Sequence, residues 1–238
     1  MMRRMCAVAL GSALIAAPAF AQTTIHLQDN FNGLSQSIPA SSLPNWVQTG
    51  TVDVVANGGY GIQCAGGNGA CIDLDGTRTP PAGPNGLLSA STFQFFAGDV
   101  VRFQLDVSGS QRQNSPIDDL LAYLQFTTAV TYTDFVYIFD GTEVSIGGTY
   151  DDDTVGFGLG QLLWNDPWKT FGVQFKLLTG GEAYVAIETQ SGDNMGPLID
   201  NVLLTSTAAT TVPEPSTYLL MAAGLAAMAA VARRRRNV

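Results

Sequence analysis

The chain has 238 residues, a formal net charge of −9 and a sequence pI near 4.3, a length that suits one medium domain with processing segments at its ends. Six of its eleven Lys and Arg residues sit at the ends (Arg3, Arg4, Arg233, Arg234, Arg235 and Arg236), so residues 22–212 hold five basic and nineteen acidic side chains. That imbalance excludes nucleic acid as a partner and sets the body against anionic lipid.

In chain order, "MMRR" is a positive n-region, "MCAVALGSALIAA" an apolar h-region, and "APAFA" offers small residues at Ala19 and Ala21. Residues 1–21 are therefore expected to be a signal peptide, with the mature chain starting at Gln22. Cys6 lies too early to serve in lipid attachment. Export leaves Cys64 and Cys71, separated by six residues of which three are glycine. In an oxidising compartment that spacing predicts a disulfide, two free thiols being the alternative. Zinc needs more soft ligands, and the only histidine, His26, is distant in sequence.

Residues 22–205 alternate with a period of two. In "DVVRFQLDVSG", Val101, Phe103, Leu105 and Val107 share one face, and "TFGVQFKLLTG" repeats the pattern with Phe171, Val173, Phe175 and Leu177. "EAYVAIETQ" follows directly after "TGG", so these two stretches read as a hairpin. Further strands are expected in "TVDVVA", "ACIDLD", "LLSASTFQFF", "LLAYLQF", "TDFVYIF", "TEVSI" and "PLIDNVLLT". About ten short strands, each with one wet face, predict an all-β fold of two packed antiparallel sheets, a β-sandwich.

Catalytic devices are poorly supplied. A single imidazole near the mature start argues against a Ser-His-Asp or Cys-His arrangement. Carboxylates are too numerous for any pair to be singled out for glycoside hydrolysis. Asp151, Asp152 and Asp153 are adjacent, so on a strand or turn they cannot all aim at one ion, and a solvated turn is the simpler reading. "LLWNDPWKTF" places Trp164 and Trp168 around polar residues in a loop, where two aromatic faces suit a sugar. The alternative is that both fold over one end of the sandwich. Trp46 leads into a strand and is expected in the core.

After the body, residues 206–217 are small, polar and Thr-rich, as a stalk would be. Residues 218–232, "YLLMAAGLAAMAAVA", carry no charge and are expected to form a short transmembrane helix. Arg233, Arg234, Arg235 and Arg236 then act as a stop-transfer cluster in the cytoplasmic tail, residues 233–238. "VPEPST", the apolar run and the terminal arginines resemble the PEP-CTERM sorting signal of Gram-negative bacteria. That resemblance implies recognition through Pro213, Glu214 and Pro215 by an exosortase-type membrane protease. It also implies transient anchoring in the inner membrane, transfer to the cell surface or beyond, and a link with exopolysaccharide and biofilm.

"NWVQTGTVDVV", "CIDLDGT", "FAGDVVRFQLDVSG" and "GPLIDNVLLT" resemble segments of galactose-binding-like jelly rolls. Such domains often hold a structural calcium where the first and last strands meet, which here implicates Asp29 and Asp200. The alternative is a carboxylate satisfied by loop backbone. The resulting expectation is an exported, non-catalytic surface or matrix protein associating with exopolysaccharide. The alternatives are a purely structural matrix protein and a glycan-processing enzyme.

Overall fold

A computed structural model describes residues 21–76, 84–190, 194–209, 220, 222–228 and 233. The expected signal peptide up to residue 20, Pro213, Glu214, Pro215, Arg234, Arg235 and Arg236 lie outside them. Residues 220, 222–228 and 233 are helical. Among the described residues no helix is long and apolar enough to cross a membrane.

Within residues 22–209, twelve strands form among the described residues. They are β1 (Thr23–Asp29), β2 (Trp46–Thr49), β3 (Asp53–Ala56), β4 (Ala70–Asp73), β5 (Asn85–Ser89), β6 (Phe93–Phe95), β7 (Val100–Ser108), β8 (Asp118–Phe139), β9 (Thr142–Leu162), β10 (Lys169–Leu177), β11 (Gly181–Thr189) and β12 (Leu198–Thr207). All pairings are antiparallel, in the order β2-β5-β11-β8-β10-β7-β12-β4-β3, with β1 on β12, β6 on β11 and β9 on β8.

This continuous path is a sandwich because β8 is bent. Its first half pairs with β11 (Phe126 opposite Ala183) and its second half with β10 (Phe139 opposite Phe171). Between Gln125 and Val130, β8 advances five residues while β9 advances only from Thr154 to Asp152. Thr127, Thr128 and Ala129 are the extra length. A bulge of this kind bends the strand and lets it pass from one sheet to the next. The hairpin closes on Asp140 and Gly141, with φ of 47° and 78°. Positive φ at both central residues is what a twisted two-residue hairpin turn needs, and Asp-Gly supplies it.

The two leaflets share one core. Phe103, Leu105, Val173 and Phe175 of one leaflet and Leu120, Leu124, Val185 and Ile187 of the other are fully buried in the same cluster. Complete burial of each such side chain stabilises the fold by about 1.5–3 kcal/mol. The alternation predicted for β7 and β10 is observed, and Trp46 is buried.

Four expectations are corrected. β10 and β11 do not pair with each other; β10 lies between β7 and β8, and β11 between β5 and β8. The "LTGG" turn therefore carries the chain across from one leaflet to the other. "LLAYLQF" and "TDFVYIF" belong to one strand, and "TEVSI" continues without a break through Asp151, Asp152 and Asp153 to Leu162. The acidic triplet thus lies mid-strand, exposed, and not in a turn. β12 also runs on to Thr207, two residues into the stretch read as a stalk.

The sandwich has two distinct ends. At one, β7 begins and β12 finishes, with Val100 opposite Thr207, and the Ala208 N–H donates to the Gln22 carbonyl at 3.1 Å. Both terminal extensions leave the body there. At the other, β7 finishes opposite the start of β12, with Ser108 facing Leu198. The Cys64–Cys71 disulfide lies toward this far end, with a Cα separation of 5.4 Å, inside the range a disulfide accepts. Both sulfurs are buried with Val55, Ile62 and Leu198, and Trp168 packs against them.

Closing this short loop covalently removes conformations from the unfolded chain. Denaturant titration of Cys64→Ala/Cys71→Ala is therefore expected to show a loss of about 2–3 kcal/mol. A loss under about 0.5 kcal/mol, the size of an ordinary surface change, would mean that the hydrogen bonds and Trp168 already fix the loop.

Candidate functional site

The loop holding Trp164 and Trp168 is tied down on every side. Leu163 N–H donates to the Asp166 carboxylate at 2.8 Å, and Asp166 N–H to the Leu163 carbonyl at 2.9 Å. Gln111 N–H reaches the Trp164 carbonyl at 2.8 Å, while Gly109 N–H and the Ser108 hydroxyl reach the Asp166 carbonyl. Trp168 spends its indole N–H on the Gln63 carbonyl at 2.6 Å and lays its ring against the disulfide cluster. It caps the far end of the sandwich. Trp164 is half-buried, and among the described residues the two rings make no contact with each other. The two expected binding residues thus sit in a packed loop, each ring with its own surroundings.

Asp29 and Asp200 do lie where the first and last strands meet, with Asp29 opposite Val202. Asp29 accepts from Phe31 N–H at 3.0 Å, the Asn45 amide at 3.0 Å and the Trp46 indole at 2.9 Å. Its carboxylate is thus surrounded by N–H donors, an environment suited to an anion and unsuited to a cation. Asp200 is buried and accepts from Asn201 N–H at 2.7 Å. Its cross-strand partner Asp106 is held separately, by the Thr170 hydroxyl and the Asn201 amide. Among the described residues no group of three or more His, Cys, Asp or Glu side chains is placed to hold a metal ion.

Burial pushes the Asp200 carboxyl up to about 7. The Asn201 and Ala65 N–H groups oppose this, and the nearby Asp106 and Asp29 carboxylates add to it. Asp73 is moved the same way, to about 8, by burial working against the Arg112 guanidinium and the Asp75 and Gly196 N–H groups. His26 donates or accepts a 2.8 Å hydrogen bond with the Ser206 hydroxyl, and its ring lies 4.8 Å from that of Phe95. Burial lowers its pKa, offset in part by Asp99. Asp99 itself accepts from Phe96 N–H. Thus the one imidazole is a half-buried packing group with one nitrogen hydrogen-bonded.

An open concavity lies elsewhere, where β8 and β9 run side by side and Glu188 of β11 reaches it. One stretch of about 480 Å³ is lined by Tyr123, Gln125, Tyr137, Thr154 and Glu188, with Gly156 and Gly158 between them. A second, of about 320 Å³, shares Gly158 and continues past Phe139, Gln161 and Lys169 toward the far end. Glycine lets β9 close up on β8 here. A Cβ at Gly156 would sit 2.5 Å from Tyr123 Cα, and one at Gly158 would sit 2.9 Å from the Leu121 side chain. The intervening Phe157 and Leu159 pack against the core.

Aromatic faces edge the trough. Tyr137 and Phe139 are 39% and 50% exposed, and the Lys169 ammonium sits 5.2 Å above the Phe139 ring. The Tyr123 hydroxyl donates to Glu188 Oε1 at 2.9 Å. Burial, reinforced by that carboxylate, pushes its phenol up to about 12, so it stays a donor at all physiological pH. Rings beside fixed amide, hydroxyl and carboxylate groups fit a sugar face and its hydroxyls.

Sequence reasoning missed this site, yet a signal existed. In "VGFGLGQ", glycines 156, 158 and 160 alternate with core residues. Alternate glycines leave part of one face without side chains, and at Gly156 the space so gained is taken by the close approach of the β8 backbone.

Comparison with known families matches the PEP-CTERM protein-sorting motif to residues 211–236. The motif implies export, transient membrane anchoring and sorting to the cell surface. Comparison with curated proteins gives no match. Among solved structures, the chain is similar to the CBM22-1 xylan-binding domain of Paenibacillus barcinonensis Xyn10C, at 18% identity and a TM-score of 0.45 over 81% of this chain and 100% of that one. It is also similar to the C-terminal family 22 carbohydrate-binding module of Clostridium thermocellum Xyn10B, at 19% identity and a TM-score of 0.40 over 80% and 96%. A third likeness is to the K3 cleaved adhesin domain of Lys-gingipain from Porphyromonas gingivalis, at 15% identity and a TM-score of 0.40 over 77% and 99%. Identities at this level speak to fold alone.

The raised carboxyl of Asp200 gives a stability slope of known sign. Below its ordinary value of 3.8 both folded and unfolded chains hold the proton, and the neutral buried group is fully tolerated. Between there and about 7 only the folded chain holds it, so stability falls as pH rises, and above about 7 both states are ionised. Asp73 contributes a slope of the same sign, so the comparison of wild type with Asp200→Asn isolates Asp200. In urea titrations the wild type is expected to lose roughly 2 kcal/mol more than the variant across that window. Parallel profiles would show that Asp200 is ionised in the fold throughout.

Proposed function

We propose that this is an exported, surface-sorted, non-catalytic protein whose body binds neutral polysaccharide in the trough beside β9. In the setting that its sorting motif implies, the ligand is an exopolysaccharide of the matrix. The observation that carries this reading is the trough itself. Tyr123 and Tyr137 supply ring faces, Gln125, Thr154 and Glu188 supply fixed hydrogen-bonding groups, and Gly156 and Gly158 line the floor between them. The acidic excess of the body favours neutral over anionic polymers.

Hydrolysis is disfavoured at this place. Glycosidases work with two carboxyl groups flanking the scissile bond. Glu188 is the carboxylate lining the first stretch, where it is engaged by Tyr123. Asp166 lines the second, with Oδ2 accepting from Leu163 N–H.

Retention of the protein on neutral glycans and on the host's own exopolysaccharide tests the reading. Tyr123→Ala/Tyr137→Ala is expected to weaken retention about tenfold, the equivalent of about 1.4 kcal/mol, while Trp164→Ala leaves it unchanged. Equal retention of wild type and double variant would remove the trough from consideration. No retention of the wild type would favour the purely structural matrix protein. Separately, co-expression with an exosortase is expected to yield a product shortened at or near Pro213, Glu214 and Pro215, seen by intact mass. An unshortened C-terminus beside an active exosortase would overturn processing by this route.

A further inference from the structure

Two tight turns project at the end of the body from which both terminal extensions leave. The first joins β6 to β7 and carries Phe96, 66% exposed; the second joins β10 to β11 and carries Leu178, 45% exposed. They are held side by side. Gly98 N–H donates to the Leu177 carbonyl at 2.7 Å, Leu177 N–H to the Asp99 carbonyl at 2.9 Å, and a Cβ at Gly180 would lie 3.4 Å from Phe96 Cα. The chain exit adjoins them, since a Cβ at Gly98 would sit 2.9 Å from that of Ala209.

Connectivity then decides what this end faces. Gln22, hydrogen-bonded to Ala208, follows directly on the apolar signal segment. On the other side, ten residues, 208–217, separate the last strand from the apolar run at 218–232. Fully extended, they reach at most about 35 Å. The anchored tail and, until it is removed, the signal segment therefore leave from this one end. Two bulky apolar side chains on rigid, adjoining turns are thus placed at that exit.

We propose that Phe96 and Leu178 seat this end of the body on the surface of the bilayer while the tail is anchored. The occupant is a zwitterionic headgroup layer. Thr131, whose carbonyl accepts Leu178 N–H at 2.8 Å, lies opposite Asp151 of the acidic triplet, which repels anionic headgroups. The contact depends on the tether. Even a single lipid chain binds a membrane only marginally and reversibly, so two side chains release the body once the tail is cut. The seat rests on the anchoring implied by the sorting motif and is independent of glycan binding in the trough.

The test uses the full chain reconstituted in phosphatidylcholine vesicles with brominated acyl chains, in single variants Phe96→Trp and Leu163→Trp. Leu163 is also exposed, but it lies in the far-end loop. After subtraction of the parent signal, the tryptophan at 96 is expected to be quenched at least about twofold more than that at 163. A ring seated in the interface lies roughly 5–10 Å into the headgroup and acyl boundary. Adding phosphatidylglycerol should reduce the difference. Equal quenching at the two positions would overturn the proposal, as would failure of the chain to float with the vesicles. Glycan retention of the Phe96→Trp chain should match wild type, so that loss of the seat and loss of the trough are told apart.

Discussion

The bend in β8 is the constraint on which the rest of the molecule depends. A flat antiparallel sheet with one apolar face has nowhere to put it. The three extra residues between Gln125 and Val130 fold that face onto itself, and a single closed core results. The same bend fixes where β9 runs. It must follow β8 through the corner, so its N-terminal part borders one leaflet and its C-terminal part borders the other. The trough lies along the second of these borders. Core formation and the site thus share one cause, and a change that straightened the corner would cost both.

The strands of the interior were legible because alternation there is strict. Phe103, Leu105, Val173 and Phe175 announce one buried face without reference to any neighbour. Partnership was less legible. A short Gly-rich turn between two alternating stretches reads locally as a hairpin, but nothing local tells β10 and β11 that each has a better partner in β8. Pairing across the sandwich is decided by how the two leaflets close, and that is a property of the whole chain. The acidic triplet was misread for a related reason. Polar residues are common in turns, yet on an exposed edge strand they cost nothing, because β8 alone supplies the hydrogen bonds.

The two tryptophans illustrate a different limit. Their identity and loop position were legible; what they touch was not. Gln63 and the disulfide loop lie about a hundred residues upstream, and the 2.6 Å bond from the Trp168 indole to that loop turns a candidate binding face into a lid. The far end of the sandwich is consequently stiff, held by a covalent link, several backbone hydrogen bonds and a large ring. Stiffness of this kind removes conformational freedom in advance, and the trough extends toward that end past Gln161 and Lys169.

β9 is a long strand, and among the described residues it pairs with β8 alone. Its other edge offers a run of unused backbone donors and acceptors, the arrangement by which sheets of separate molecules join into fibres. Proteins delivered to a cell surface accumulate at high local density, where such joining is hard to avoid. Asp151, Asp152 and Asp153 stand on that edge, fully in solvent. A second strand laid against them would bring its own charge into a confined row, with no basic group of β9 to neutralise it. Joining two such edges would set carboxylate against carboxylate, which disfavours pairing along this strand.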